Sequence, residues 1–278
     1  MWHLTQIPQV AHFYWGGGPL SYLRFLSVKS FKKQNPDWLA KVHVPLVNSV
    51  APESWTNDIK QDFRGQLDDL DVTVVVHEFN EYGFSNQAHE VHKSDFLRWQ
   101  LLATEGGLWS DIDIFYVKPM ECLAENTTQY SNINVALCPL KPPHKHTVGF
   151  MLGSKNNDFY TYIGQLAQKN YNKDVYQCMG SDLINHHFES FESFERQFPG
   201  DQFIFLNKKS VYAITSKTID HFYQPVDTAS IKKFNSSQVI GYHWFGGHPR
   251  SQDFENNLQP ETITDYNHFL AQAIQEQL

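Results

Sequence analysis

The chain has 278 residues, 41% apolar and 15% aromatic, with a formal net charge of −8. This length and composition support a packed core and exclude a disordered chain, and the acidic balance argues against a protein that grips nucleic acid through a broad basic surface. Three widely spaced cysteines, Cys122, Cys138 and Cys178, with no CxxC pair, argue against a disulfide framework or zinc site and fit a reducing compartment.

The opening MWHLTQIPQV has no basic segment followed by an apolar run. No apolar stretch approaches the roughly 20 residues that span a bilayer. A cytoplasmic protein with no transmembrane segment is therefore expected. The Lys32-Lys33, Lys208-Lys209 and Lys232-Lys233 pairs are scattered and read as solvated surface.

Ala11 to Trp15 reads as a first strand, followed by Gly16-Gly17-Gly18 and a helix opened by Pro19 and running to Gln34. Strand, glycine loop and helix begin a nucleotide-binding α/β unit, although the glycines do not match GxGxxG. His12 stands mid-strand and reads as a satisfied structural histidine. Asn35-Pro36-Asp37-Trp38 is a turn, and Lys41 to Val47 a second strand that Pro45 marks as an edge or an irregularity. Glu53 to Arg64 reads as helix, and Asp71 to Phe79 as a β-branched strand. His89 and His92 have helical spacing but no third ligand nearby, so they are expected at the surface or in a groove.

The pattern is densest from Lys93 to Met120. Ser94 can cap a helix running from Asp95 to about Glu105, with Phe96, Leu97, Leu101 and Leu102 on its core side. Gly106-Gly107 stops it, and Leu108 to Val117 alternates as a strand carrying Asp111 and Asp113. Carboxylates at i and i+2 on a strand face the same side and repel unless a cation sits between them. A hard divalent ion, Mg²⁺ or Mn²⁺, is the natural partner and leaves coordination positions for phosphate oxygens. Asp95 and Arg98 share a helix face one turn apart, suited to sugar hydroxyls and phosphate. Asp-x-Asp also occurs by chance, and the second copy, Asp69-Leu70-Asp71, lies in a polar run that reads as a turn.

Beyond this, Asn134 to Cys138 and Val148 to Leu152 read as strands flanking the polar loop LKPPHKHT. Phe159 to Lys169 reads as helix, and Gly180-Ser181-Asp182 caps another from Leu183 to about Arg196. Phe203 to Leu206, Val211 to Thr215 and Val239 to Phe245 read as strands, and Pro260 to Leu278 holds a C-terminal helix. There is no repeat and no low-complexity tract.

The order Ser-Asp-x-x-Arg, amphipathic turn, Gly-Gly-x-x-x-Asp-x-Asp, Pro is far more specific than its parts. It resembles the DXD sugar-binding region of the glycosyltransferase superfamily that holds the yeast-type initiating mannosyltransferases, capsular sugar transferases and the catalytic domains of the large clostridial glucosylating toxins. IPQVAHFYWGGGPL resembles that superfamily's opening strand, Asn35-Pro36-Asp37-Trp38 its N-P-x-W turn, and His243-Trp244 its late H-x-W element. Met179-Gly180-Ser181 matches its T-G-P element only in part.

The resemblance implies an α/β, glycosyltransferase A-type fold with a mixed, mostly parallel sheet flanked by helices. It implies one domain over 1–278, with the donor part in about 1–120 and the acceptor side in 121–278. The implied reaction is metal-dependent, retaining transfer of a sugar from a nucleotide diphosphate sugar to an acceptor hydroxyl. Asp113 would ligate Mn²⁺ or Mg²⁺, and Asp111 would bridge ribose, sugar and metal. Asp95 and Arg98 would hold the sugar, and His243 would touch the diphosphate or the metal. Trp15 falls on the tryptophan that stacks on uracil, a contact worth roughly 1–3 kcal/mol, so the expected donor is UDP-linked, with guanine open. A glycan is the first choice of acceptor, with a protein side chain or a modified nucleic-acid base as alternatives. A nucleotide-sugar pyrophosphatase or nucleotidyltransferase, and a non-catalytic nucleotide-sugar binding module, are the other classes that fit the same residues.

Overall fold

The structure is a computed structural model that describes residues 4–49, 59–124, 132–140, 146–188, 190–225, 234 and 236–278. The first half of the predicted helix at 53–64, most of the loop LKPPHKHT and the Lys232-Lys233 pair lie outside these; the end of that predicted helix, residues 59–63, is not helical, and Arg64 opens a 3-10 turn, Arg64–Leu70.

The described residues form nine strands: β1 (Val10–Tyr14), β2 (Leu39–Pro45), β3 (Val72–His77), β4 (Gly107–Ser110), β5 (Ile114–Tyr116), β6 (Val135–Leu137), β7 (Phe150–Gly153), β8 (Phe203–Phe205) and β9 (Gly241–His243). Seven make one sheet in the order β3-β2-β1-β4-β7-β6-β8, and β5 pairs with β9 in a separate ribbon. In the large sheet only β7 runs against the rest, pairing antiparallel with β4 and β6. This is the expected mixed, mostly parallel sheet.

Strand alternation divides the core between the two faces. Ala11, Phe13, Val42, Leu108 and Phe150 point into one buried cluster, which holds helix α1 (Tyr22–Gln34). Trp109, Val135, Leu137 and Met151 point into the other, under helix α2 (Glu90–Thr104) and the helix Asp158–Lys169. The Trp99 and Tyr160 rings stack where those two helices meet.

A buried polar chain runs along the second face. His12 is hydrogen-bonded at both ring nitrogens, as expected, to Gly106 O at 3.0 Å and to His43 at 3.0 Å. His43 continues to His77 at 2.8 Å, and His77 to the Tyr82 hydroxyl at 3.1 Å.

Several boundaries differ from the sequence reading. Helix α1 begins at Tyr22, three residues after Pro19, because Ser21 is the cap and accepts from Arg24 N. Pro45 marks no edge: β2 lies between β1 and β3, and the proline sits harmlessly at its last position. Helix α2 begins at Glu90, so Ser94 is interior. The cause is a fully buried ion pair, Lys93 Nζ to Glu90 Oε1 at 2.9 Å, that keeps the extra turn in place. The predicted helix from Leu183 splits into Ser181–His187 and Phe191–Gln197, because Phe188 leaves the helix to stack on Phe194 at 4.3 Å. Val211 and Tyr212 belong to a helical turn, Lys209–Tyr212, not a strand; Asn207 Oδ1 starts it by accepting from Lys209 N at 2.9 Å. His92 is buried rather than exposed, its Nε2 donating to Val175 O at 3.1 Å with Cys178 Sγ 3.8 Å away.

Candidate active site

The predicted strand from Leu108 to Val117 is broken where it matters. Gly106 and Gly107 have φ of 70° and 92°, which closes α2 and turns the chain into β4. β4 ends at Ser110, Asp111 to Asp113 form a turn, and β5 carries the chain out of the large sheet into the ribbon. The two carboxylates therefore sit in the turn where the chain changes sheets, not along one strand. Antiparallel pairing of Ile114 with His243 brings the third group alongside, and Trp244 N donates to Asp113 O at 2.9 Å.

Each carboxylate has one oxygen held by the protein and one turned to His243. Asp111 Oδ1 accepts from Arg98 Nη2 at 3.2 Å and Trp109 Nε1 at 3.0 Å. Asp113 Oδ2 accepts from Gly246 N at 2.8 Å. Asp111 Oδ2 and Asp113 Oδ1 lie 3.8 Å and 3.2 Å from His243 Nε2. One ligand atom from each of the three residues falls within 4.8 Å of the others. This oxygen-rich donor set fits a hard divalent cation with open positions. The second Asp-x-Asp behaves as a turn: Asp71 has φ of 51° and faces solvent beside Lys32.

Burial opposes ionisation of Asp111, but Arg98, His243 and the Trp109 N–H outweigh it and hold the carboxyl down to about 2. Asp95 goes the other way. Burial, with Asp111 nearby, pushes it up to about 6 against the pull of Arg98. Burial disfavours protonation of His243, yet the Asp113 and Asp111 carboxylates raise it above the usual histidine range. The result is a compact alternation of charge: Asp95, Arg98, Asp111, His243, Asp113.

Asp95 Oδ1 accepts from Arg98 Nη1 at 2.5 Å, while the buried Asp95 Oδ2 and Arg98 Nε have no hydrogen-bond partner among the described residues. An acceptor and a donor left open in this way suit a polyol ligand. Gly149 stands behind the cluster. Its carbonyl accepts from Asp111 N at 2.8 Å, and a Cβ there would lie 2.5 Å from Asp111 Oδ2.

All of this opens into a cleft of about 610 Å³. Trp15, Asp95, Arg98, Asp111, Asp113 and His243, the six residues singled out in the sequence, all line it. His89 does not line it. The lining also includes Arg24, Tyr176, Gln177, Ser216 and Phe245, which sequence reasoning missed. Arg24 carried a usable signal, a cation in the buried stripe of α1 among Leu23, Leu26 and Ser27. The others come from loops and the 3-10 turn Ser216–Thr218 and left none.

Residues 24–132 match the family model described as glycosyltransferase sugar-binding region containing DXD motif, and residues 154–267 match that described as α1,4-glycosyltransferase conserved region. Among solved structures, the chain is similar to the PaToxG glycosyltransferase at 16% identity, covering 97% of this chain and 87% of that one, with a TM-score of 0.49. It is also similar to a glycosyltransferase involved in glycosylation of the major capsid of PBCV-1, at 9% identity, coverage of 89% and 99%, and a TM-score of 0.47. Mouse xyloside xylosyltransferase 1 follows at 12% identity, coverage of 86% and 98%, and a TM-score of 0.43. No curated protein matches the chain. No helix among the described residues is long and apolar enough to cross a membrane. With glycosyltransferase models matching two successive regions that together span most of it, the chain is a glycosyltransferase, and the first of those regions is the DXD-containing one that holds Asp95, Arg98, Asp111 and Asp113.

Proposed function

We propose that the protein moves a sugar from a UDP-sugar to a glycan hydroxyl, with Mn²⁺ or Mg²⁺ and retention of anomeric configuration, and that it does so as a single domain. The observation that carries this reading is the convergence of Asp111 Oδ2, Asp113 Oδ1 and His243 Nε2 beside the open edges of Asp95 and Arg98. Asp111, Asp113 and His243 would hold the ion, whose chemistry when bound is to neutralise a diphosphate and polarise its leaving oxygen. Asp95 Oδ2 accepts from a sugar hydroxyl, and the Arg98 guanidinium, already fixed between Asp95 and Asp111, stabilises charge on the departing diphosphate. In a retaining reaction of this kind the acceptor attacks from the face the diphosphate leaves, and the acceptor's proton passes to a diphosphate oxygen. No protein base is then required.

Trp15 lines the same cleft and supplies a flat surface for the base. Apart from Arg24 and His248, the remaining polar lining, Tyr14, Ser94, Tyr176, Gln177 and Ser216, carries no charge. That supports a sugar acceptor over a polyanion.

A screen of nucleotide sugars with purified protein and Mn²⁺, scoring release of UDP or GDP, tests the reading. Slow release from one donor that stops with EDTA is expected. Cleavage within the diphosphate, giving a nucleoside monophosphate and a sugar phosphate, would replace transfer with hydrolysis of the anhydride. The geometry at Gly149 gives a second expectation. Gly149→Ala should turn the Asp111 carboxylate away and lower kcat about 10²-fold, the usual cost of misplacing a catalytic group by about 1 Å. Wild-type turnover with ordinary manganese dependence in that variant would mean the Asp111 Oδ2 position is immaterial.

A further inference from the structure

Arg24 is only 3% exposed, yet it lines the cleft. Its guanidinium lies 4.5 Å from the centre of the Trp15 ring and 5.1 Å from that of Trp244. Glu255, from the helix Pro249–Asn257, takes one edge: Nε donates to Oε1 at 2.7 Å and Nη2 to Oε2 at 3.3 Å. The Ser21 hydroxyl donates to the same Oε1 at 2.6 Å. A guanidinium has five donors in a rigid fork, and Nη1 makes no hydrogen bond to any described residue. Because Arg24 lines the cleft, a donor left over in this way is open to an acceptor that enters it.

The location says which acceptor. Gly246 packs directly against Arg24, since a Cβ there would collide with Nη2. The N–H of the same glycine donates to Asp113 Oδ2 at 2.8 Å. Arg24 thus has Trp15 on one side and, across a single glycine, the carboxylate cluster on the other. In the nucleotide-diphosphate reading, on which this inference rests, the base lies at the first and the metal-facing oxygens at the second. The diphosphate lies between.

We propose that Arg24 is a second, metal-independent cation for the donor, its Nη1 edge meeting the diphosphate while Glu255 and the two tryptophans hold the guanidinium flat. Arginine suits this role because the fork that engages Glu255 through Nε and Nη2 leaves its Nη1 end for phosphate oxygens, and the faces of two tryptophans fix its plane without using a donor.

The rival is a purely structural ion pair, and the two differ in sign. Glu255→Gln leaves the cation unneutralised and should tighten UDP binding several-fold with uridine binding unchanged. Arg24→Gln combined with Glu255→Gln keeps the buried pair neutral, so no charge is stranded, and should weaken UDP about 10- to 100-fold with uridine again unchanged. Calorimetric titration of UDP and uridine in EDTA reads both, with thermal melting to verify folding. UDP and uridine weakening together, or UDP binding unaltered in the double variant, would overturn the role for Arg24 and leave the donor reading standing. A wild-type protein that binds neither UDP nor GDP would overturn both.

Discussion

Asp113→Asn is expected to lower turnover about 10³-fold or more, roughly 4 kcal/mol of transition-state stabilisation, while the protein melts at nearly the same temperature. The substitution keeps shape and the hydrogen bond that Gly246 N makes to Oδ2. It removes the charge on Oδ1, the oxygen 3.2 Å from His243 that faces the ligand cluster. The two carboxylates lie within 4.8 Å of each other, and neutralising one removes that repulsion together with its attraction to His243, so the fold changes little. Asp69→Asn is the matched control. Asp69 belongs to the chain's other Asp-x-Asp, in an exposed 3-10 turn outside the cleft, and its loss should leave turnover unchanged. Steady-state rates, manganese titration and melting curves check all three statements. Turnover within a few-fold of wild type for Asp113→Asn would sink the metal role of the turn.

The contrast between these two motifs shows what the sequence can carry. Both are Asp-x-Asp. What separates them in the sequence is order: a helix with Asp95 and Arg98 on one face, a double-glycine stop, then the carboxylates. Those features are local, set by helical period and by the positive φ of Gly106 and Gly107, and local features survive in a bare sequence. The sheet of mostly parallel strands was legible through the family resemblance rather than through any local feature. The break between Ser110 and Ile114 was not, because the apolar alternation of Ile112 and Ile114 runs straight through it. Only the pairing of Ile114 with His243, far along the chain, pulls β5 out of the large sheet. The same pairing sets His243 beside Asp113. The ends of α2 misled for a comparable reason: Ser94 is a good cap, but the buried Glu90–Lys93 pair extends the helix past it. Arg24 was not singled out, because its partner Glu255 lies far along the chain and only the fold brings the two together.

The histidine chain gives the second large effect, a loss of stability in mild acid. Gly106 O can only accept, so His12 Nε2–H donates to it. His12 Nδ1 then accepts from His43 Nε2–H, His43 Nδ1 from His77 Nε2–H, and His77 Nδ1 from the Tyr82 hydroxyl. One carbonyl thereby fixes three neutral tautomers, all pointing one way, and a proton added at His12 or His43 sets two donors against each other unless the whole chain reverses onto the Tyr82 hydroxyl. Burial is the main reason protonation is resisted, holding His12 down to about 4, and His43, with its histidine neighbours adding to it, to about 2; His77 is lowered as well. The nearby Lys41 pushes His12 and His43 further down, whereas Glu105 pulls His12 up, and these two charges pair at 2.5 Å. Because the folded values lie below the unfolded one, the unfolded chain binds more protons as pH falls. Stability from these groups is complete above about pH 6.5 and is lost on descent toward the folded values. From pH 7 to 5 each strongly depressed histidine costs about 2 kcal/mol, so His12 and His43 together cost about 4 kcal/mol, a large part of an ordinary folding free energy. His92 and His268 are lowered too and add to the wild-type slope. Urea unfolding at pH 7 and pH 5 of wild type and of His43→Gln separates them, since only the chain's own share changes. The variant should be less stable at pH 7 but lose about 2 kcal/mol less between the two pH values. An identical pH dependence would mean that His43 titrates in the folded protein as it does in the unfolded one. Acid should also reach the active site before global unfolding, because the carbonyl at the end of this chain belongs to Gly106, where the backbone turns from α2 into the strand that delivers Asp111 and Asp113.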